Sequence, residues 1–245
     1  MGKIAKHQRR AMRRIVRGWR QGIADGAPEW VRNSLGPAVN YADMLLVDHG
    51  LFRLFYLNLH RLGPKAWRSA QPAPHQIRHI ARLGVRTIVN LRGPRYCGSY
   101  WLESLACRRQ GVRLVDYQVR SRAAPSKEEL LGARDLIRSL DGPVLFHCKS
   151  GADRAGLMST LYLIVAEGRP VTEARSQLSL KYGHIRQADT GILDHFFECY
   201  LADNAVRPIE FFDWVQDVYD PDAVKQSFAA KGWANVITNK LLRRE

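Results

Sequence analysis

Long apolar runs and metal-type cysteine spacings are missing from this sequence. No run of about 18 apolar residues occurs, so no membrane-spanning helix is predicted. The four cysteines contain no C-x-x-C pair, which argues against a zinc site or a disulfide scaffold and favours a reducing compartment. No continuous apolar segment precedes a small-residue cleavage site near the N-terminus, so no signal peptide is predicted. We therefore expect a cytoplasmic protein.

Acidic residues are scarce relative to basic ones, with 23 against 38, and the formal net charge is +15. Residues 3–23 are predicted to form an amphipathic helix, with apolar side chains on one face and basic side chains on another. Such a helix suits an anionic membrane surface, and the cytoplasmic protein would then be peripheral to the inner membrane. A solvated arm is the alternative. Because no nucleic-acid-binding module accompanies the charge, nucleic acid is not an expected partner.

The stretch LFHCKSGADRAG, residues 145–156, carries the strongest chemical signal in the chain. An apolar run before it predicts a buried strand, and an apolar-periodic helix is predicted to begin near Arg154. A strand-loop-helix join of this kind points backbone N–H groups and the positive end of the helix into one concavity, which suits a phosphate dianion. The same field favours the thiolate of Cys148, which is the form that attacks. Arg154 is able to bind two phosphoryl oxygens at once.

His147, Cys148 and Arg154, with five residues between the last two, resemble the signature loop of the cysteine-dependent tyrosine and dual-specificity phosphatase superfamily. Residues 67–72 (WRSAQP) and 83–92 (LGVRTIVNLR) also resemble the opening of compact atypical dual-specificity phosphatases, in a bacterial-type branch. The resemblance implies a three-layer α/β fold. Its central, mostly parallel sheet of four or five strands is flanked by helices, and alternating strand and helix patterns predict the same arrangement.

Three segments are predicted along the chain. Residues 1–62 form a basic N-terminal extension, residues 63–205 the phosphatase domain, and residues 206–245 a helical C-terminal extension. Within the domain, the patterns predict an edge strand at 66–69, strands at 87–91 and 113–119, and helices at 75–83, 100–110, 126–140 and 171–182. Further helices are predicted at 190–202 and 208–218.

The resemblance also implies how the site works. Cys148 would be the nucleophile and form a cysteinyl-phosphate, while His147 would order the loop and help to hold the thiolate. Neither a metal nor a cofactor is expected. The side chain of Arg154 and the backbone N–H groups would hold the phosphoryl oxygens, these N–H groups being those of Lys149, Ser150, Gly151, Ala152, Asp153 and Arg154.

The general acid has two candidates. Asp116 lies 32 residues before Cys148, close to the separation seen in the superfamily, but it falls in a predicted strand. The loop that follows, residues 121–125, contains no acid. Asp153 is the rival, inside the signature loop beside Arg154, as in a bacterial branch with aspartate at this position. Water or another group is the third possibility.

Two further residues depart from the usual loop. Ala155 stands where the superfamily has Ser or Thr, which predicts slow breakdown of the phosphoenzyme. Lys149 resembles the residue of phosphoinositide-directed branches and adds charge for a second phosphate. We expect a phosphomonoester hydrolase of the tyrosine or dual-specificity type that acts on a phosphoprotein. The alternatives are a phosphatase of lipid or glycan phosphates at the inner membrane face, and a phosphate-binding module with weak turnover.

Overall fold

A five-stranded sheet forms the centre of this computed structural model, which describes residues 38–47, 55–95 and 97–230. The strand order is β1-β2-β5-β3-β4, with β1 antiparallel to β2 and every other neighbouring pair parallel. The predicted mostly parallel α/β sheet is thereby confirmed. The strands are β1 (His60–Gly63), β2 (Ala66–Ala70), β3 (Thr87–Asn90), β4 (Arg113–Asp116) and β5 (Val144–Cys148).

Helices lie on both faces of the sheet because β3 and β5 are apolar on both sides. Leu145 packs with α1 and α2 in one hydrophobic cluster, whereas the next residue, Phe146, packs with α3, α4 and α6 in another. The helices are α1 (Pro74–Arg82), α2 (Gly98–Arg109), α3 (Lys127–Arg138), α4 (Asp153–Glu167), α5 (Val171–Ala174), α6 (Ile192–Val206) and α7 (Phe211–Asp217). Residues 38–42 are helical and lead into a π-helical turn at Asp43–Val47, and residues 221–230 are also helical.

Three predicted elements differ from the structure. The strand predicted at 66–69 is β2, but it is not an edge strand, because β1 pairs with its outer side. The strand predicted at 113–119 ends at Asp116. The helix predicted at 171–182 ends at Ala174 and continues as two 3-10 turns, Arg175–Gln177 and Leu180–Tyr182.

Two carbonyls within that predicted helix bind side chains from elsewhere in the fold. The carbonyl of Gln177 accepts a hydrogen bond from Arg68, and the carbonyl of Tyr182 accepts one from Asn58. Gln177 and Tyr182 are the last residues of the two 3-10 turns, so both carbonyls are satisfied by buried donors and not by a further helical turn. Gly183, with φ of +81°, then ends the second turn.

Residues on either side of the predicted domain share one packing unit in the described part of the chain. The boundary predicted between residues 62 and 63 falls inside β1. On the other side, Trp214 and Val215 of α7 lie in the same buried cluster as Phe196 of α6. The division into 1–62, 63–205 and 206–245 stays a prediction, and the amphipathic helix predicted at 3–23 lies outside the described residues. No helix of the described residues is long and apolar enough to cross a membrane.

Candidate active site

The signature loop joins the end of β5 to the start of α4 at the carboxyl edge of the parallel strands. Cys148 is the last residue of β5 and is buried, and α4 begins at Asp153. Gly151 has a φ of +77°, and a Cβ there would lie 2.7 Å from both Ala70 N and Ser69 C. Only glycine fits this position, because the loop passes directly against the backbone at the end of β2.

Two side chains bind the loop from behind. Nδ2 of Asn58 donates to the carbonyl of Ser150 over 3.0 Å. Nη2 of Arg68 donates to the carbonyls of Gly151 and Ala152 over 2.7 and 2.9 Å. Since the peptide unit is planar and trans, each carbonyl held on one side turns the following N–H to the other. Three consecutive N–H groups are thereby oriented away from these donors, in the arrangement that binds an anion.

Arg68 is the functional residue that sequence reasoning missed. It is fully buried, its Nη1 also donates to Gln177 O and Oε1 at 2.6 and 3.0 Å, and its guanidinium stacks 4.0 Å from the ring centre of Tyr182. Burial lowers the pKa of Arg68 to about 10, so it remains a cation at neutral pH. The available signal was an arginine in a strand, beside Trp67 and small residues, which is costly to bury without partners.

The side chain of Asn58 is itself held in place by hydrogen bonds. Both hydrogens of its Nδ2 serve carbonyls, and its Oδ1 accepts from Tyr56 and lies 2.9 Å from Nε2 of His60. Because Oδ1 is an acceptor, His60 carries its hydrogen on Nε2. Burial, and then the nearby charges of Arg68 and Lys181, lower the pKa of His60, so a neutral imidazole holds Asn58 in place.

His147 lies beneath the loop. Its side chain is fully buried, and Nε2 is 2.6 Å from Oε1 of Glu103, a buried carboxyl of α2, although the contact lacks hydrogen-bond alignment. The other oxygen of Glu103 accepts from Gln71 over 2.7 Å, and Gln71 accepts from Arg92. This chain links the residue before the nucleophile to the segment after β3, which is consistent with the predicted ordering role of His147.

The guanidinium of Arg154 lies within the electrostatic reach of two others, those of Arg92 and Arg95. Burial lowers the pKa of Arg154, and the charges of Arg92 and Arg95 act in the same direction, whereas Cys148 opposes them. The charge of Cys148 thus acts on Arg154 together with those of Arg92 and Arg95, and the catalytic roles of Cys148 and Arg154 stay a prediction. A phosphate dianion bound among these guanidinium groups would relieve their mutual repulsion.

A cleft of about 760 Å³ opens beside the loop. One wall is the signature loop with Lys149, Asp153 and Arg154, and the other is the segment after β4, with Arg120 and Arg122. Basic side chains therefore come from both walls, and one carboxyl, that of Asp153, belongs to the described lining. The lining consists of Gln118, Val119, Arg120, Ser121, Arg122, Ala123, Lys149, Ser150, Asp153 and Arg154.

The structure separates the two candidate general acids. Asp116, at the exposed end of β4, is outside this lining, and its oxygens accept from Asn90 over 2.8 Å and from Tyr100 over 2.5 Å. Burial and the bond to Asp116 raise the pKa of Tyr100 to about 12. Asp153 lines the cleft, and its Oδ1 lies 2.7 Å from Nδ1 of His184.

His184 is an imidazolium held between two carboxylates. It is buried, with Asp153 at Nδ1 and Asp194 at Nε2, each 2.7 Å away. Burial by itself lowers the pKa of His184, but the hydrogen bonds and charges of Asp153 and Asp194 outweigh it and raise the pKa to about 9. Both ring nitrogens are therefore donors at neutral pH.

Residues 61–192, more than half of the chain, match the family described as DSP-PTPase phosphatase fused to NAD+ kinase. The dual specificity protein phosphatase TpbA of Pseudomonas aeruginosa (strain UCBPP-PA14) is 33% identical over 113 residues, or 46% of this chain and 49% of that protein. The chain therefore spans about half the length of the relatives it matches.

Two solved structures of P. aeruginosa TpbA are also similar. One has a TM-score of 0.49 at 21% identity and covers 71% of this chain and 91% of that one. The other, in complex with pTyr, has a TM-score of 0.45 at 24% identity and covers 59% and 91%.

Proposed function

This chain belongs to the DSP-PTPase phosphatase family, and we propose that it hydrolyses phosphomonoesters through a phosphocysteine on Cys148. One observation carries the proposal. Asn58 and Arg68 hold the three successive carbonyls of Ser150, Gly151 and Ala152 from behind, so that the N–H groups that follow them are preorganised for an anion. Preorganised donors of this kind stabilise the charge of a transferring phosphoryl group.

The reaction follows from these positions. Sγ of Cys148 attacks phosphorus while the loop N–H groups and Arg154 bind the phosphoryl oxygens. The bond to the leaving oxygen breaks, and that oxygen takes a proton. Water then attacks the phosphocysteine, which releases inorganic phosphate and the thiolate. Asp153 is the favoured acid because it lines the cleft, and Asp116 is the alternative. The expectation that no metal or cofactor takes part stays a prediction.

The proposed substrate is a phosphoprotein, and the kinship with a named dual specificity protein phosphatase supports it. The cleft favours a second candidate: a molecule with more than one phosphate group, such as a lipid or glycan phosphate. Lys149, Arg120 and Arg122 add three basic side chains beyond Arg154. A panel of phosphotyrosine, phosphoserine, phosphoinositide and glycan phosphate substrates, compared by kcat/KM, separates the candidates.

The peripheral membrane location remains part of the proposal. The net charge of +15 and the basic residues of 3–23 support contact with anionic lipid, and a cytoplasmic location is proposed with it. Flotation with vesicles that contain anionic lipid compares the intact chain with a chain that lacks residues 1–24. Equal flotation of the two would exclude the role of this segment.

Hydrolysis of p-nitrophenyl phosphate tests the reaction itself. We expect turnover by the intact chain and none by Cys148→Ser. Cys199→Ser is the matched control, because Cys199 is half-buried in α6 beside His195, and this variant keeps full turnover. A chain that binds phosphate but releases no p-nitrophenol would be a binding module instead.

A further inference from the structure

Asp153, His184 and Asp194 form a line of three titratable groups that crosses the wall between two cavities. Asp153 faces the catalytic cleft of about 760 Å³, whereas His184 and Asp194 line a second cavity of about 420 Å³. The imidazole bridges the carboxylates with two contacts of 2.7 Å and is 1% exposed. Asp194 comes from α6 and Asp153 from the first turn of α4, so the line is set by tertiary packing.

Among the described residues that line the cleft, Asp153 is the one with a carboxyl group available to the leaving oxygen. The opposite wall, residues 118–123, contributes arginine, serine and glutamine side chains and no acid. Asp116 already accepts from Asn90 and Tyr100 outside the lining. A leaving alkoxide needs a proton in the transition state, so Asp153 is the group in position to supply it. Its Oδ1, however, already accepts a hydrogen bond from protonated His184.

We propose that the Asp194–His184–Asp153 line stores the proton of the leaving group and passes it to the cleft through Asp153. The inference rests on the phosphatase function proposed above. Between turnovers the proton resides on His184, whose hydrogen bonds reach both carboxylates. Asp194 stabilises that charge from the side away from the substrate, and the second cavity beside it gives solvent access.

The proton movements balance over one turnover. In the first step Sγ of Cys148 forms the S–P bond and the bond from phosphorus to the leaving oxygen breaks. The leaving oxygen takes the proton from Asp153, which takes the Nδ1 proton of His184 and leaves a neutral imidazole that still donates from Nε2 to Asp194. In the second step water attacks phosphorus, the S–P bond breaks, and the proton of the water returns through Asp153 to Nδ1. The net reaction consumes one water and yields an alcohol and phosphate.

A purely structural role of His184 and a proton-storing role predict different effects of its loss. Loss of a structural bridge distorts the loop and slows all substrates alike. Loss of a proton store slows substrates with poor leaving groups, because p-nitrophenolate departs with little protonation whereas an alkoxide does not. The ratio of kcat/KM for an alkyl phosphate to kcat/KM for p-nitrophenyl phosphate therefore separates the relay from the fold, because kcat/KM reports the steps up to departure of the leaving group even when breakdown of the phosphoenzyme limits kcat.

The experiment measures this ratio in the full chain for His184→Gln and Asp194→Asn. We expect a fall of about 10-fold or more in both, together with a smaller solvent isotope effect on the alkyl ester. Asp189→Asn, an exposed acid in the turn before α6, is the control and keeps the ratio of the unchanged chain. Equal losses on both esters, which leave the ratio unchanged, would overturn the relay, as would no loss on either ester.

Two further results keep the outcome decisive. If His184→Gln does not fold, Asp194→Asn is the informative variant, because asparagine still accepts from Nε2 while it removes the charge. Turnover of p-nitrophenyl phosphate without turnover of any alkyl phosphate in the unchanged chain would overturn the relay while it supports the phosphatase function. Absence of Cys148-dependent turnover of p-nitrophenyl phosphate would instead overturn the function itself.

Discussion

The guanidinium of Arg68 donates a 2.7 Å hydrogen bond to the carbonyl of Gly151, although 83 positions separate these residues. The same nitrogen binds Ala152 O, and the other terminal nitrogen binds Gln177. One buried cation thus connects the signature loop to the turn after α5. The planar fork of arginine suits this role, because it directs several donors at fixed angles, which the ammonium of lysine does not.

Arg68→Lys should therefore impair catalysis although it keeps the charge. We expect kcat/KM for p-nitrophenyl phosphate to fall about 100-fold or more, since the loop N–H groups lose their orientation. Unsatisfied carbonyls should also lower the free energy of unfolding by about 2–4 kcal/mol. Arg61→Lys, at the exposed position of β1, is the matched control for both measurements. Equal activity of the two variants would contradict the proposed support by Arg68.

Gly151→Ala should prevent anion binding. The Cβ would meet the backbone of Ser69 and Ala70 at 2.7 Å, in addition to the strain of a φ of +77°. Titration with inorganic vanadate should show no binding. Gly168→Ala has a similar φ of +63° with open space around it, so it should cost only about 1 kcal/mol and bind vanadate normally. Vanadate binding by Gly151→Ala would disprove the close approach of the loop to β2.

Breakdown of the phosphoenzyme should limit the rate, because Ala155 is buried at the start of α4 without the usual hydroxyl. Stopped-flow measurements with p-nitrophenyl phosphate should then show a burst of p-nitrophenol of about one per enzyme before the slower steady rate. Ala155→Ser should shrink the burst and raise the steady rate. Linear release from the first turnover by the unchanged chain would argue against slow breakdown.

The stability of the fold should depend on the protonation of His184. Its pKa is about 9 in the folded chain against 6.5 as the ordinary value, so protonation is tighter in the folded state. The contribution is fully present below about pH 6.5 and is lost as pH rises through about 9. The free energy of unfolding should be measured with urea at pH 6, 8 and 10. The difference between the unchanged chain and His184→Gln should fall by about 2 kcal/mol from pH 6 to pH 10. A pH-independent difference would refute the bridge with Asp153 and Asp194.

Residues 207–230 should unfold together with the sheet. Trp214 is buried, and its Nε1 donates to Asp203 over 2.7 Å. Tyr219 donates to the carbonyl of Pro125, which lies just after the cleft-lining residues 118–123. Trp214→Ala should cost about 3–5 kcal/mol and lower the midpoint of the single thermal transition. Val218→Ala, at an exposed position, should leave that midpoint unchanged. A separate early transition in Trp214→Ala would indicate an independent C-terminal unit.

The sequence by itself determined the parts of this protein that depend on neighbouring residues. Apolar runs predicted the buried strands β3 and β5. The helix predicted at 126–140 is α3, and Ser126 and Glu129 form a reciprocal cap at its start. The spacing of Cys148 and Arg154 was sufficient to propose the reaction class, because one strand-loop-helix join carries both residues within a few positions.

Only the tertiary structure decided what supports that loop and which carboxyl reaches the cleft. Asn58 and Ser150 are 92 positions apart, and His184 and Asp153 are 31 apart, so no local periodicity relates them. Asp116 matched by counting, but its strand directs it to Asn90 and Tyr100. In the helix predicted at 171–182, the carbonyls of Gln177 and Tyr182 likewise accept hydrogen bonds from donors distant along the chain. Buried polar groups are satisfied across the whole fold, and a sequence pattern reports only the partners that lie near along the chain.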